Sequence, residues 1–176
     1  MYGVTRYMTM REQPYQDSPI RYKEMALYQM APNLYVSADT RRFTLEQKMN
    51  AFLSKRIRTV VNMTKKCTDA DLEMFGKVEY VMVRISDSFD GVAPEDEKLL
   101  LEWAEVLYKR TLHEGVLVHC YGGENRSCLL AGLVLMRGGM AGADAVAKIL
   151  QERPTALYNE AFKDYLLHAA PLGPAV

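Results

Sequence analysis

At 176 residues and 49% hydrophobic composition, the chain has enough apolar material for one domain with a full core, which excludes a disordered or fibrous class. Lysine plus arginine and aspartate plus glutamate both total 22, so no net field steers the protein toward nucleic acid or an anionic membrane, although local patches survive such a balance. Three cysteines, Cys67, Cys120 and Cys128, are too few and too unevenly spaced for a disulfide scaffold.

The first residues lack the charged-then-apolar pattern of a signal peptide, so a reducing cytoplasm is the expected compartment. Leu129 to Met136 is cut off by Arg137-Gly138-Gly139, and no apolar run reaches the about 18 residues of a membrane span. Residues 1–24 mix charged side chains with Tyr2, Tyr7, Tyr15, Tyr22, Pro14 and Pro19, without helical or strand periodicity. They read as an N-terminal extension, either a loosely packed lead-in or a contact arm. Met25 to Met30 and Leu34 to Ser37 follow as short strands around Pro32-Asn33. Thr44 to Lys55 predicts a helix opened by a Thr44/Gln47 capping box, with Leu45, Met49, Phe52 and Leu53 at helical spacing as its packing face.

Ile57 to Met63, with the β-branched run Thr59-Val60-Val61, and Val78 to Ile85 predict two further strands. Between them, Cys67 to Phe75 reads as a loop with a short helix, its Asp69, Asp71 and Glu73 forming a solvated face. Pro94 suits the first turn of a long helix with Glu95, Asp96 and Glu97 at its positive end and Lys109 and Arg110 at its negative end. Leu99, Leu100, Trp103, Val106 and Leu107 should face the core. Beyond Gly138-Gly139, Ala141 to Arg153 predicts a helix ended by Pro154, and Asn159 caps a last helix reaching about His168. Alternating strands and helices imply an α/β domain over residues 25–170, with a central, largely parallel sheet flanked by helices on both faces and a short tail at 171–176.

The chemistry is concentrated in Val116-Leu117-Val118-His119-Cys120-Tyr121-Gly122-Gly123-Glu124-Asn125-Arg126-Ser127, a buried strand running into a glycine-bearing loop and then a helix. The apolar run from Cys128 to Met136 places that helix in the core. Its first turn offers backbone N–H groups that no earlier carbonyl satisfies, and with the loop amides they can surround a tetrahedral dianion. Gly122 and Gly123 allow the backbone to curl that tightly. Cys120 at the strand end and Arg126 at the helix start, five residues apart, put a sulfur nucleophile and a planar anion clamp in one loop.

The stretch from His119 to Ser127 resembles the HCxxGxxR(S/T) signature of cysteine-dependent protein tyrosine phosphatases, and its surroundings resemble the compact dual-specificity branch. Chance supplies the extended pattern with a probability on the order of 10⁻⁵ in a chain of this composition. The resemblance spans roughly Tyr28 to Ala170, including the Arg153-Pro154 and Asn159 to Phe162 stretches, though only the loop is highly specific. It implies a protein-tyrosine-phosphatase-like single domain. In the implied mechanism Cys120 attacks phosphorus, while Arg126 and the loop amides, from His119 through Tyr121, Gly122, Gly123, Glu124 and Asn125, hold the phosphate. An acid protonates the leaving group, and Ser127 stabilises the departing thiolate when water cleaves the phosphocysteine. The implied chemistry requires no metal or other cofactor.

Ester cleavage by a thiolate needs a proton donor on a separate loop. Asp87 and Asp90, in Ser86-Asp87-Ser88-Phe89-Asp90-Gly91, are the candidates, and the resemblance favours Asp87 because the family's acid directly follows the strand end. His119 reads as a buried histidine that braces the loop, since an adjacent strand residue points away from its neighbour. Cys128 is either a buried helix residue or a redox partner of Cys120, and Cys67 carries the same ambiguity.

Asn125 resembles the residue found in RNA 5′-triphosphatase-type members. Glu124, in a loop without basic residues other than Arg126, argues for a poorer field toward polyanions. A phosphorylated protein substrate, with phosphotyrosine first and phosphoserine or phosphothreonine possible, is therefore expected. An RNA 5′-triphosphatase, a nucleotide or phosphoinositide phosphatase, and a phosphoresidue-binding module with little turnover remain as alternatives.

Overall fold

The computed structural model describes residues 24–64 and 78–173. The readings of residues 1–23, of Cys67 to Phe75 and of residues 174–176 lie outside these. Five strands form one sheet in the order β1-β2-β5-β3-β4: β1 Tyr28–Ala31, β2 Leu34–Ser37, β3 Ile57–Asn62, β4 Glu79–Met82 and β5 Gly115–His119. Only β1–β2 is antiparallel, a hairpin turned at Pro32-Asn33 with Asn33 at φ 63°. The other three pairings are parallel. Among the described residues there are five α-helices: α1 Leu45–Ser54, α2 Pro94–Thr111, α3 Arg126–Arg137, α4 Gly142–Glu152 and α5 Glu160–His168. The expected largely parallel sheet covered on both faces is what the chain forms, with the antiparallel edge strand β1 making it mixed.

Alternation along the strands assigns side chains to two cores. On one face Tyr35, Ile57, Val60 and Leu117 pack with Phe52 of α1 and with Met25 and Phe43. On the other, Leu34, Val36, Val61, Val116 and Val118 meet Leu100, Ala104 and Leu107 of α2, nearly all of α3, Ile149 of α4 and Phe162 and Leu166 of α5. Ser127 to Met136 of α3 are all buried, as an apolar helix at the centre of a layer requires. The β2-to-β3 crossover, through α1, and the β4-to-β5 crossover, through α2, therefore cover opposite faces. In such a sheet the ligand-binding position lies beyond the carboxyl ends of the strands where the crossovers diverge, and here Ser37, His119 and Asn62 end β2, β5 and β3 in register.

Two of the expected packing faces differ from those observed. On α1, Leu45, Met49 and Leu53 are exposed at 36, 42 and 70%, whereas Phe52 and Lys48 are the buried residues. Of the expected face only Phe52 is covered, because the sheet packs on a stripe rotated from it, one that takes in the whole of Lys48. On α2, Val106 is also exposed at 40%, and Ala104 instead joins Leu100 and Leu107 in the core because a small side chain suits close approach to α3. The capping box of Thr44 and Gln47 is formed by both of its hydrogen bonds.

Candidate active site

Cys120 follows the last residue of β5 and is buried. The loop it opens is clamped to the strand ends on both sides: Asp39 N–H donates to the Tyr121 carbonyl at 3.2 Å, and Met63 N–H to the His119 carbonyl at 2.9 Å. Gly123 adopts φ 70°, and a Cβ there would lie 2.4 Å from the Ser37 carbonyl carbon and oxygen. The loop is thus pressed against the end of β2 at a point where only glycine fits. That turn aims Gly123 N–H at Cys120 Sγ, 3.2 Å away, while Ser127 Oγ approaches the same sulfur at 3.2 Å from the first turn of α3. Two polar groups converge on the sulfur.

Asn125 precedes α3 but makes no side-chain cap; its Oδ1 accepts the Asn159 backbone N–H at 3.1 Å. The amides of the first turn of α3 therefore keep their donors for an anion in the loop. The Arg126 guanidinium is anchored by Nη1 donating to the Met63 carbonyl at 3.2 Å, and its Nε lies 3.6 Å from Asp87 Oδ2.

Asp87 and Asp90 have distinct surroundings. Asp87 is partly buried, facing Arg126, with Oδ1 accepting from Asn159 Nδ2 at 3.1 Å. Asp90 is exposed, and its backbone N–H donates to Ser88 Oγ within its own turn. The start of the loop that carries both is held as well, Ser86 N–H donating to Asp96 Oδ2 in the first turn of α2 at 3.2 Å. His119 is buried, its ring centroid 6.3 Å from that of Tyr80. Cys128 is buried, its thiol donating to the Gly123 carbonyl at 3.6 Å, and burial pushes that thiol well above its ordinary range.

Glu124 does not project its charge into the loop unopposed. Its Oε1 accepts from Arg153 Nη2 at 3.2 Å and from Thr155 Oγ1 at 2.9 Å, its carbonyl accepts Leu157 N–H at 2.9 Å, and Arg153 also donates to the Gly122 carbonyl at 2.9 Å. The sequence-based argument that Glu124 weakens the field is accordingly corrected, because an adjacent guanidinium balances it. Arg153 itself is packed over the Tyr28 ring, 4.3 Å from its centroid. Sequence reasoning missed the roles of Arg153, Thr155 and the Met63 carbonyl, and saw Asn159 only as a helix cap. No local pattern distinguishes such residues, since each acts across tertiary distance.

Among the described residues no three His, Cys, Asp or Glu side chains are grouped as ligands for a metal ion. A cavity of about 380 Å³ between β1 and helices α3 and α4, lined by Met30, Pro32, Leu135, Met140 and Lys148, contains none of the loop residues. No helix among the described residues is long and apolar enough to cross a membrane.

No protein-family model and no curated protein matches the sequence. Solved structures do match the fold. Human DUSP28 superposes with a TM-score of 0.63 at 21% identity, covering 80% of this chain and 89% of its own. A mouse putative dual specificity phosphatase, complexed with zinc tungstate, gives 0.64 at 22% identity over 80% and 83%. PTPMT1 in complex with PI(5)P gives 0.60 at 16% identity over 80% and 94%. The chain has the fold of the dual-specificity phosphatases.

Proposed function

We propose that residues 25–170 form the catalytic unit of a cysteine-dependent phosphate-monoester hydrolase, acting on phosphorylated proteins with phosphotyrosine as the first substrate. The observation that supports this reading is that Asp87, from a separate loop, faces the Arg126 guanidinium at the start of the helix that follows the Cys120 loop, in which Ser127 Oγ and Gly123 N–H converge on the Cys120 sulfur. Cys120 sulfur attacks phosphorus in line as the ester P–O bond breaks, and Asp87 delivers its proton to the departing oxygen. Arg126 and the amides of the loop and first helical turn hold the three remaining oxygens through the transition state. Water then attacks the phosphocysteine, Asp87 as carboxylate takes the water's proton, and the S–P bond breaks with Ser127 hydrogen-bonded to the leaving sulfur.

The rim supports an aromatic phosphoester in a peptide. Among the described residues every exposed aromatic side chain, Phe89, Tyr121 and Tyr158, belongs to the loops that meet at this site. Such faces pack against a phenyl ring and its neighbouring residues. Asn125, the feature that resembles RNA-end phosphatases, has its side-chain oxygen committed to Asn159. A reducing compartment such as the cytoplasm suits a thiol nucleophile.

The deciding experiment compares turnover of phosphotyrosine, phosphoserine and phosphothreonine peptides, a phosphoinositide and a 5′-triphosphorylated RNA, with and without EDTA. Phosphotyrosine peptides should have the highest kcat/KM and chelation should not matter. Cys120→Ser and Arg126→Ala should each lose orders of magnitude while remaining folded. A folded Cys120→Ser variant with near-native turnover would sink the assignment. Higher kcat/KM on the RNA or the lipid would replace the substrate class, and phosphopeptide binding without turnover would leave a binding module.

A further inference from the structure

We infer that Arg42, held over Tyr121, is a specificity-determining residue that binds a carboxylate flanking the phosphoresidue of the substrate. This rests on the phosphopeptide reading above and adds to it a sequence preference that the cysteine loop alone does not encode.

The 3₁₀ turn Thr40–Arg42 lies between β2 and α1 and is fastened to the active-site loop by Asp39 N–H donating to the Tyr121 carbonyl. Asp39, which caps that turn, is taken by Arg41, whose Nε donates to Oδ1 at 3.0 Å and whose Nη2 pairs with Oδ2. The two adjacent arginines are therefore unlike in state. Arg41 is neutralised within the turn, whereas Arg42 is exposed, pairs with no carboxylate of the described residues, and has its Cζ 4.5 Å from the centroid of the Tyr121 ring.

Tyr121 is the residue after Cys120 and is 43% exposed, so its ring stands at the surface beside the loop that would hold the phosphate. A guanidinium resting on a ring is restrained at modest cost in its own freedom, yet the contact consumes none of its N–H donors. Its free edge can take a carboxylate in a fork. One exposed cation beside an aromatic rim suits one extra negative charge on an otherwise apolar or aromatic peptide, which is the pattern of a phosphotyrosine next to Asp or Glu.

The experiment measures binding of peptides carrying a non-hydrolysable phosphonate in place of the phosphotyrosine ester, so that affinity is read independently of turnover. Glutamate, alanine or lysine is placed in turn at each of the two positions on either side. The wild-type protein should bind the best glutamate peptide about two- to fivefold more tightly than its alanine counterpart, with lysine weaker than both, and raising the salt should shrink the difference. In Arg42→Gln the glutamate-to-alanine ratio should fall to about one. Tyr121→Leu, which keeps the charge but removes its support, should fall between.

An unchanged ratio in folded Arg42→Gln, or no preference in the wild type, overturns the inference. So does Arg42-dependent binding confined to a phosphoinositide headgroup. Turnover of the matching phosphopeptides is measured in parallel. Turnover without an Arg42 effect would remove this inference and leave the phosphatase reading standing, and an Arg42-dependent preference without turnover would do the reverse.

Discussion

Asn159 donates through Nδ2 to Asp87 Oδ1 at 3.1 Å, and with the same nitrogen to the Ser88 carbonyl at 3.0 Å, while its Oδ1 accepts from Ala161 N–H to cap α5. Its backbone N–H meanwhile holds Asn125. One residue thus ties the Asp87 loop, the cysteine loop and the last helix together, closing a circuit that passes through Arg126 and Asp87.

Asn159→Ala is expected to damage both stability and chemistry. Loss of the cap costs about 1 kcal/mol. Freeing Asp87 should lower kcat for phosphotyrosine by about an order of magnitude, as for misplaced positioning groups. Because the acid matters most for poor leaving groups, turnover of a strongly activated aryl phosphate should fall less. Paired thermal melts and kinetics on the two substrates separate the effects, since a merely structural loss would lower both rates alike.

Asp87→Asn should show the same leaving-group dependence more strongly, with a loss of about 10²-fold on phosphotyrosine and a flattened alkaline limb of the pH–rate profile. Asp90→Asn should show neither, because that side chain is exposed in its own turn while Asp87 faces Arg126. The reverse outcome would move the acid to Asp90.

Gly123→Ala places a Cβ against the Ser37 carbonyl in a backbone with positive φ. The loop must lift from β2, so a destabilisation on the order of 1–3 kcal/mol is expected. Turnover should fall with it as Gly123 N–H leaves Cys120 Sγ. Denaturant melts and steady-state kinetics check this, and a variant as stable and active as the parent would mean that the loop is not pinned there.

Asp39 gives a pH signature. Burial pushes its carboxyl up, but hydrogen bonds from the Arg41 side chain and backbone, with the charges of His119 and Arg41, bring it below its ordinary value of 3.8. A carboxyl depressed on folding contributes stability that is present above the unfolded value and lost as pH falls through the folded one. The stability difference between wild type and Asp39→Asn, on the order of 1 kcal/mol, should be flat above about pH 5 and shrink below about pH 4. Urea melts across pH test it; a difference that grows toward low pH would contradict the assignment.

The parts of this protein that the sequence alone determined are those whose physics is local. The Thr44/Gln47 box spans one helical turn, the alternation Val116-Leu117-Val118 follows from the pleat, and the contiguous run from His119 to Ser127 carries its loop, its helix start and its two candidate reactive groups within nine positions. The α/β class followed from the order of such segments. Periodicity could mark an apolar stripe on α1 but not which side the sheet would cover, so of the expected face Leu45, Met49, Phe52 and Leu53 only Phe52 is buried, and Lys48 is buried beside it. Only the tertiary structure set Asp87 against Arg126, turned Glu124 toward Arg153 and Thr155, joined Asn159 to two loops and laid Arg42 over Tyr121. Those contacts bridge residues tens of positions apart, and their geometry is decided by how the sheet twists and the crossovers pack, which no local spacing records.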